Sequence, residues 1–136
     1  MLIDNILLDS LFEQAKASER KRMNYDLRTS AEDTSQRLLN ALLPGTVVPI
    51  HRHEDTTETV ICLKGMLEEI IYEEVVEYSR EETSRTEEVV RKVSFKEVSR
   101  HLICPAEGLY GAQIPAGAWH TIHVIEPSVI FEAKDG

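Results

Sequence analysis

The spacing of polar and apolar positions changes along the chain. Between residues 6 and 20, Leu8, Leu11, Phe12 and Ala15 recur at helical spacing, and Ser10-x-x-Glu13 has the form of a capping box. A short amphipathic helix is expected there. Beyond it, β-branched and apolar residues come in short runs bounded by turn formers, the pattern of strands. Asn24 to Arg28 and Gln36 to Leu43 read as strands, the second closed by Pro44-Gly45. Thr46 to Ile50 and Thr59 to Leu63 are strand-like runs on either side of a polar turn, Glu54 to Thr57. Met66 to Tyr78 fits neither strict alternation nor a helical stripe, and its β-branched content assigns it to a strand. Ser79 to Thr86 reads as a charged hairpin loop, returning through Glu87 to Phe95 with Val89, Val93 and Phe95 on one face. Residues 96 to 110, with Pro105 and Gly108, are expected to be irregular. Tyr110 to Ile114, Thr121 to Ile125 and Ser128 to Ala133 complete the strands, with turns at Pro115 and at Glu126-Pro127.

The chemistry concentrates in Gly45 to Gly65, GTVVPIHRHEDTTETVICLKG. On an extended segment successive side chains alternate, so His51 and His53 share a face while Arg52 points away. A turn at 54 to 57 brings Glu58 back beside them on the next strand. Two imidazoles and a carboxylate on one face form most of a divalent-metal site. His120, delivered by the turn at Pro115 and Gly117, is a candidate fourth ligand, and His123 faces the opposite side of the same strand.

Gly45-x5-His51-x-His53-x4-Glu58-x6-Gly65 resembles the first sequence motif of the cupins, and Pro115-x-Gly117-x2-His120 resembles the core of the second. Val124 and the absence of a glycine six residues before Pro115 depart from that second pattern. The resemblance implies an all-β, single-domain fold: an antiparallel double-stranded β-helix, or jelly-roll barrel, with a short N-terminal helix. It implies residues 1–23 as a helical segment packed on a barrel of residues 24–136. It also implies His51, His53, Glu58 and His120 as ligands of one divalent metal ion. Arg22-Met-Asn24-Tyr-Asp-Leu, Gln36-Arg-Leu-Leu-Asn40, Trp119-His120-Thr121 and Phe131-Glu-Ala-Lys134 are similar to the WbuC-type cupins of bacterial surface-polysaccharide gene clusters. That likeness implies a homodimer and a sugar-related ligand.

Composition narrows the partners. At 136 residues with a formal charge of −9, the chain is one domain that repels nucleic acid and anionic membranes. No apolar run spans a bilayer and no basic leader opens the chain, so a cytoplasmic location is expected. Cys62 and Cys104 do not make a disulfide framework, and Cys62 reads as a core residue. The cluster Arg20-Lys-Arg22 reads as solvated. The nine glutamates from Glu68 to Glu88 read as a solvated hairpin. Arg28, Arg37, Asn40, Tyr72 and Trp119 are candidate contacts for a hydroxyl-rich or anionic small ligand. Imidazoles with one carboxylate suit zinc, iron, nickel or manganese, and the sequence does not choose among them. Three functions fit: Lewis-acid isomerase or epimerase chemistry on a sugar or nucleotide sugar, an iron-dependent dioxygenase, or a non-catalytic sugar-binding module.

Overall fold

The computed structural model describes residues 1–82 and 86–136. Its elements follow in the order α1 (Asn5–Ala17), β1 (Arg22–Asp26), β2 (Ser35–Leu42), β3 (Glu58–Glu82) and β4 (Glu87–Ile103), then a 3-10 turn at Pro105–Glu107, β5 (Gly111–Ile114) and β6 (Trp119–Asp135). The strands pair antiparallel in the order β1-β2-β6-β3-β4, and β5 adds to β3. The chain is therefore all-β with one N-terminal helix.

The helix begins earlier than its sequence pattern suggests. Asp4, rather than the Ser10 box, caps it, accepting a hydrogen bond from the Leu7 amide at 3.0 Å. Its stripe of Leu8, Leu11 and Ala15 packs on Leu39, Ala41 and Val129. Alternation along β2 then turns Leu42 the other way, into an inner core with Val60, Cys62, Leu67, Ile103, Ile114, Val124 and Ile130. Each side of this sheet region thus has its own apolar layer.

Several short runs merge into long strands. Thr59 to Leu63 and Met66 to Tyr78 are one strand, β3; the two segments around Glu126-Pro127 are one strand, β6. The ladder between them slips at Cys62/Lys64, Lys64/Met66 and Met66/Leu67. These irregularities change which positions face inward, from Glu58, Val60 and Cys62 to Leu67 and Glu69. That switch of phase is why the pattern of 66 to 78 shows no clean alternation. Gly65, at φ 109°, stands at the slip, and a side chain there would collide with Pro127 and Ser128. Ser128 uses the space: its Oγ accepts from the Met66 amide at 3.0 Å and donates to the Glu126 carbonyl at 2.8 Å.

Three further expectations change. Residues 96 to 103 belong to β4 rather than to an irregular stretch. Thr46 to Ile50 stay outside the ladders, with His51 alone forming an isolated bridge. The expected loop 79 to 86 is strand as far as Glu82, which pairs with Glu87; residues 83–85 lie outside those described. β6 pairs with β3 only as far as Tyr72, so Glu73 to Glu82 pair with β4 alone and form a two-stranded ribbon. Cys62 and Cys104 are buried free thiols. Among the described residues no helix is long and apolar enough to cross a membrane.

Leu11 is fully buried between α1 and the sheet. Leu11→Ala is expected to cost about 3 kcal/mol, the range for a leucine deleted from a tight core. Urea unfolding reads this directly; a loss below about 1 kcal/mol would show that the helix is not an integral part of the core.

Candidate metal centre

The centre is built by backbone hydrogen bonds between two distant segments. The His51 amide donates to the His120 carbonyl at 3.0 Å, and the His120 amide returns the bond to the His51 carbonyl at 2.9 Å. Residues so paired stand opposite one another with their side chains on the same face of the sheet. Two residues beyond His51, the His53 carbonyl accepts from the Gly117 amide at 2.7 Å. Gly117 has φ 82°, a backbone conformation suited to glycine at this tight turn. Thr121 Oγ1 donates to the Val48 carbonyl and fastens the other side.

This ladder gathers three imidazoles. Ring centroids lie 4.2 Å apart for His51 and His120, 5.2 Å for His51 and His53, and 5.6 Å for His53 and His120. One ring nitrogen of each lies within 4.8 Å of the other two. His51 Nδ1 is 2.8 Å from the Pro49 carbonyl, and His120 Nδ1 is 2.9 Å from the Ala118 carbonyl. A carbonyl only accepts, so each of these nitrogens carries the proton and each Nε2 presents a lone pair. His120 Nε2 is buried without a hydrogen-bond partner. Such an atom is costly unless something meets it.

His53 differs. Its Nδ1 lies 2.9 Å from Lys134 Nζ, so a charged Lys134 donates to it and leaves the neutral ring's proton on Nε2. His53 Nε2 stands 2.8 Å from Glu58 Oε2, close enough for an ion pair yet without the alignment of a hydrogen bond. The two atoms therefore stand side by side, as neighbouring ligands do. Burial holds the His53 and His120 rings below the ordinary imidazole range, with Lys134 and then His51 adding to this at His53. A divalent cation requires neutral imidazoles, and to bind one His53 would also give up the proton on its Nε2.

The centre opens into a cavity of about 340 Å³. Beyond His51, Glu58 and His120, its walls carry Asn40, Glu69, Glu132, Arg20 and Arg22. Burial pushes Glu69 up to about 8, with Glu58 and Glu132 contributing, and pushes Glu132 up to about 7, with Glu58 contributing. Glu132 shares hydrogen bonds with Glu58 and Asn40, whereas neither oxygen of the buried Glu69 has a partner.

Of the five candidate ligand contacts named from the sequence, Asn40 alone lines this cavity. Arg28 and Arg37 line a separate depression and are engaged by Asp26 at 3.0 Å and Asp33 at 2.9 Å. Trp119 pairs with Tyr72 across the β6–β3 ladder, adjacent to inward-facing His120, and so faces outward. The Arg52 guanidinium covers the Trp119 ring at 4.6 Å. His123 faces out and meets Glu68 at 3.0 Å. Glu69, Glu132, Lys134 and the arginines are new to the site. The basic pair, expected to be solvated, lines the cavity. Glu132 follows inward-facing Ile130 at a strand interval of two, the one signal that could have found it.

Lys134 offers a donor where a metal-bound imidazole needs an acceptor on its far nitrogen. Lys134→Met is therefore expected to tighten zinc binding about tenfold, the lower end of such outer-shell effects. Competition against a chromogenic chelator measures it; weaker binding in the variant would mean that Lys134 supports the site.

The architecture has counterparts among solved structures. It is similar to a conserved Streptococcus pyogenes protein of unknown function, SPY1581, at 14% identity and a TM-score of 0.54, covering 87% of this chain and 76% of that one. It is similar to the Schizosaccharomyces pombe Cnp3 cupin domain at 12% identity and a TM-score of 0.50, covering 85% and 64%. It also resembles Rhodospirillum rubrum Rru_A2000, a cupin-2 domain, at 14% identity and a TM-score of 0.51, covering 85% and 60%. At these identities the likeness establishes the fold, a cupin jelly roll, and no activity. No curated protein gives a match. A family model described as a domain of unknown function, DUF6016, matches residues 3–83. That match spans more than half of the sequence, and the chain belongs to the DUF6016 family, here built on a cupin fold.

Proposed function

We propose that the chain is a metal-dependent enzyme acting on a small polar metabolite in the barrel cavity, with His51, His53, Glu58 and His120 holding the ion. The observation that carries this reading is the pair of buried, unpartnered Nε2 atoms of His53 and His120 beside Glu58. A divalent ion bound there supplies a Lewis acid for a substrate carbonyl or hydroxyl. The protein's own part is orientation and dryness. The Pro49 and Ala118 carbonyls fix two of the rings, and Val60, Ile122 and Ile130 make the cavity wall apolar between its polar groups. Glu132, hydrogen-bonded to Glu58 and Asn40, is placed to hold a proton next to the ligand carboxylate. Sugars and nucleotide sugars are the first substrates to screen, on the WbuC-type resemblance, and proton exchange beside a carbonyl is the first reaction to assay.

Elemental analysis of tag-free protein is expected to give one divalent ion per chain, and His51→Ala and Glu58→Ala are expected to lose it. Variants that fold and still hold one ion would overturn the ligand set. Retention should also depend on pH. The folded state keeps His53 and His120 neutral, whereas free imidazoles protonate below about pH 6.5. Protons therefore favour the unfolded, metal-free chain as pH falls through that value, and both stability and metal are lost on the acid side. Equal metal content after dialysis at about pH 5 and about pH 7.5 would contradict this assignment of the histidines.

A further inference from the structure

We propose that the cavity takes a small zwitterion, an acid bearing an ammonium group, with the ammonium against Glu69 and the anionic group held by Arg20 and Arg22. The inference rests on the cavity being a substrate site, and it adds the chemical class of the occupant.

Glu69 supplies the first observation. It is 2% exposed, and both of its carboxyl oxygens lack any hydrogen-bond partner. The slip in the β3–β6 ladder turns it inward, where it shares the cavity with Glu58, Glu132 and His120. The other two carboxyls are engaged, Glu58 with His53 and Glu132 with Glu58 and Asn40. An unpartnered buried carboxyl costs stability, and a hydrophobic residue in its place would pack without that cost. Its position therefore makes sense as half of an interaction that a ligand completes. With three carboxyls on the walls, a cationic hydrogen-bond donor is the favoured complement.

The arginines supply the second observation. Arg20 and Arg22 are the cationic side chains of this cavity, and among the described residues neither is in an ion pair. Arg22 donates to the Val47 carbonyl at 3.3 Å, and burial beside Arg20 holds its pKa below the ordinary range. Two adjacent guanidiniums with open donors are suited to a carboxylate or phosphate. Arg22 opens β1 and Glu69 lies on β3, with β2 and β6 between them in the sheet. A ligand with opposite charges at its two ends matches both, and an acid or an amine alone matches one.

Calorimetry on the full-length protein as purified, with its metal content measured in parallel, tests the inference. The probes are glycine, 4-aminobutyrate and 6-aminohexanoate, each against the carboxylate and the amine of equal length. At least one zwitterion is expected to bind tenfold or more tightly than both of its single-charge counterparts. Glu69→Gln should erase that margin while leaving the carboxylate's affinity unchanged, and Arg22→Gln should weaken the zwitterion and the carboxylate alike. Glu69→Met is also expected to raise the melting temperature of ligand-free protein. Absence of binding by every probe, equal affinity of zwitterion and carboxylate, or a zwitterion margin that survives Glu69→Gln would each overturn it. If the variants fail to fold, the comparison among probes on the unaltered protein still decides. Wild-type protein without metal that nonetheless shows the zwitterion margin would sink the metal reading and leave this one standing.

Discussion

The reciprocal backbone pair between His51 and His120 is the constraint on which the site depends. Two amide hydrogen bonds at 3.0 and 2.9 Å, with the Gly117–His53 bond at 2.7 Å beside them, hold one strand-like segment against the start of β6. The candidate ligand side chains need no long-range interaction of their own to meet; the backbone brings them within reach and their alternation aims them. Such bonds are worth about 1 kcal/mol each in net stability, yet here they convert two separate stretches of sequence into one constellation. The segment from Thr46 to Ile50 lies outside the named strands, so the precision of the site comes from this bridge rather than from a continuous sheet.

Around that bridge the interior is divided by chemistry. Leu42, Cys62, Leu67, Ile103, Ile114 and Val124 form a dry inner core, while Glu58, Glu69, Glu132 and Asn40 share space with the imidazoles. Burying carboxyls is unfavourable unless they are neutralised or paired, and the raised pKa values of Glu69 and Glu132 express that strain. For Glu69 the folded state keeps a proton that the unfolded chain gives up above about pH 4.5. Its contribution to stability is thus present in acid and lost as pH rises toward about 8. This trend opposes that of the histidines, so the cavity is under tension from both ends of the pH scale.

The sequence revealed the site better than its surroundings, for physical reasons. His51, His53 and Glu58 were legible because alternation over a few residues suffices to put their side chains together. His120 needed only a turn to present it, and His123 was excluded by the same parity. Long strands were not legible: the slip near Gly65 reverses the inward phase of β3, and local periodicity carries no information across a bulge. Glu69 was hidden by its company, one inward glutamate among a run whose other members face solvent. Arg28 and Arg37 looked available because their partners, Asp26 and Asp33, are recognised only once turns bring them into contact. Lys134 reaches His53 only through the closure of the fold, which no local pattern encodes.

The β3–β4 ribbon has a different kind of consequence. Past Tyr72 its described residues include no candidate ligand and no member of either apolar core, and among them the two strands pair only with each other. Its cross-strand neighbours include charged pairs such as Glu77 with Lys92, and its outer edge bears Lys and Arg side chains of the kind that discourage sheet extension. Removing or adding a matched pair of residues on each strand would keep every remaining side chain on its present face. The length of this ribbon can therefore change by even steps while the barrel below it keeps its register.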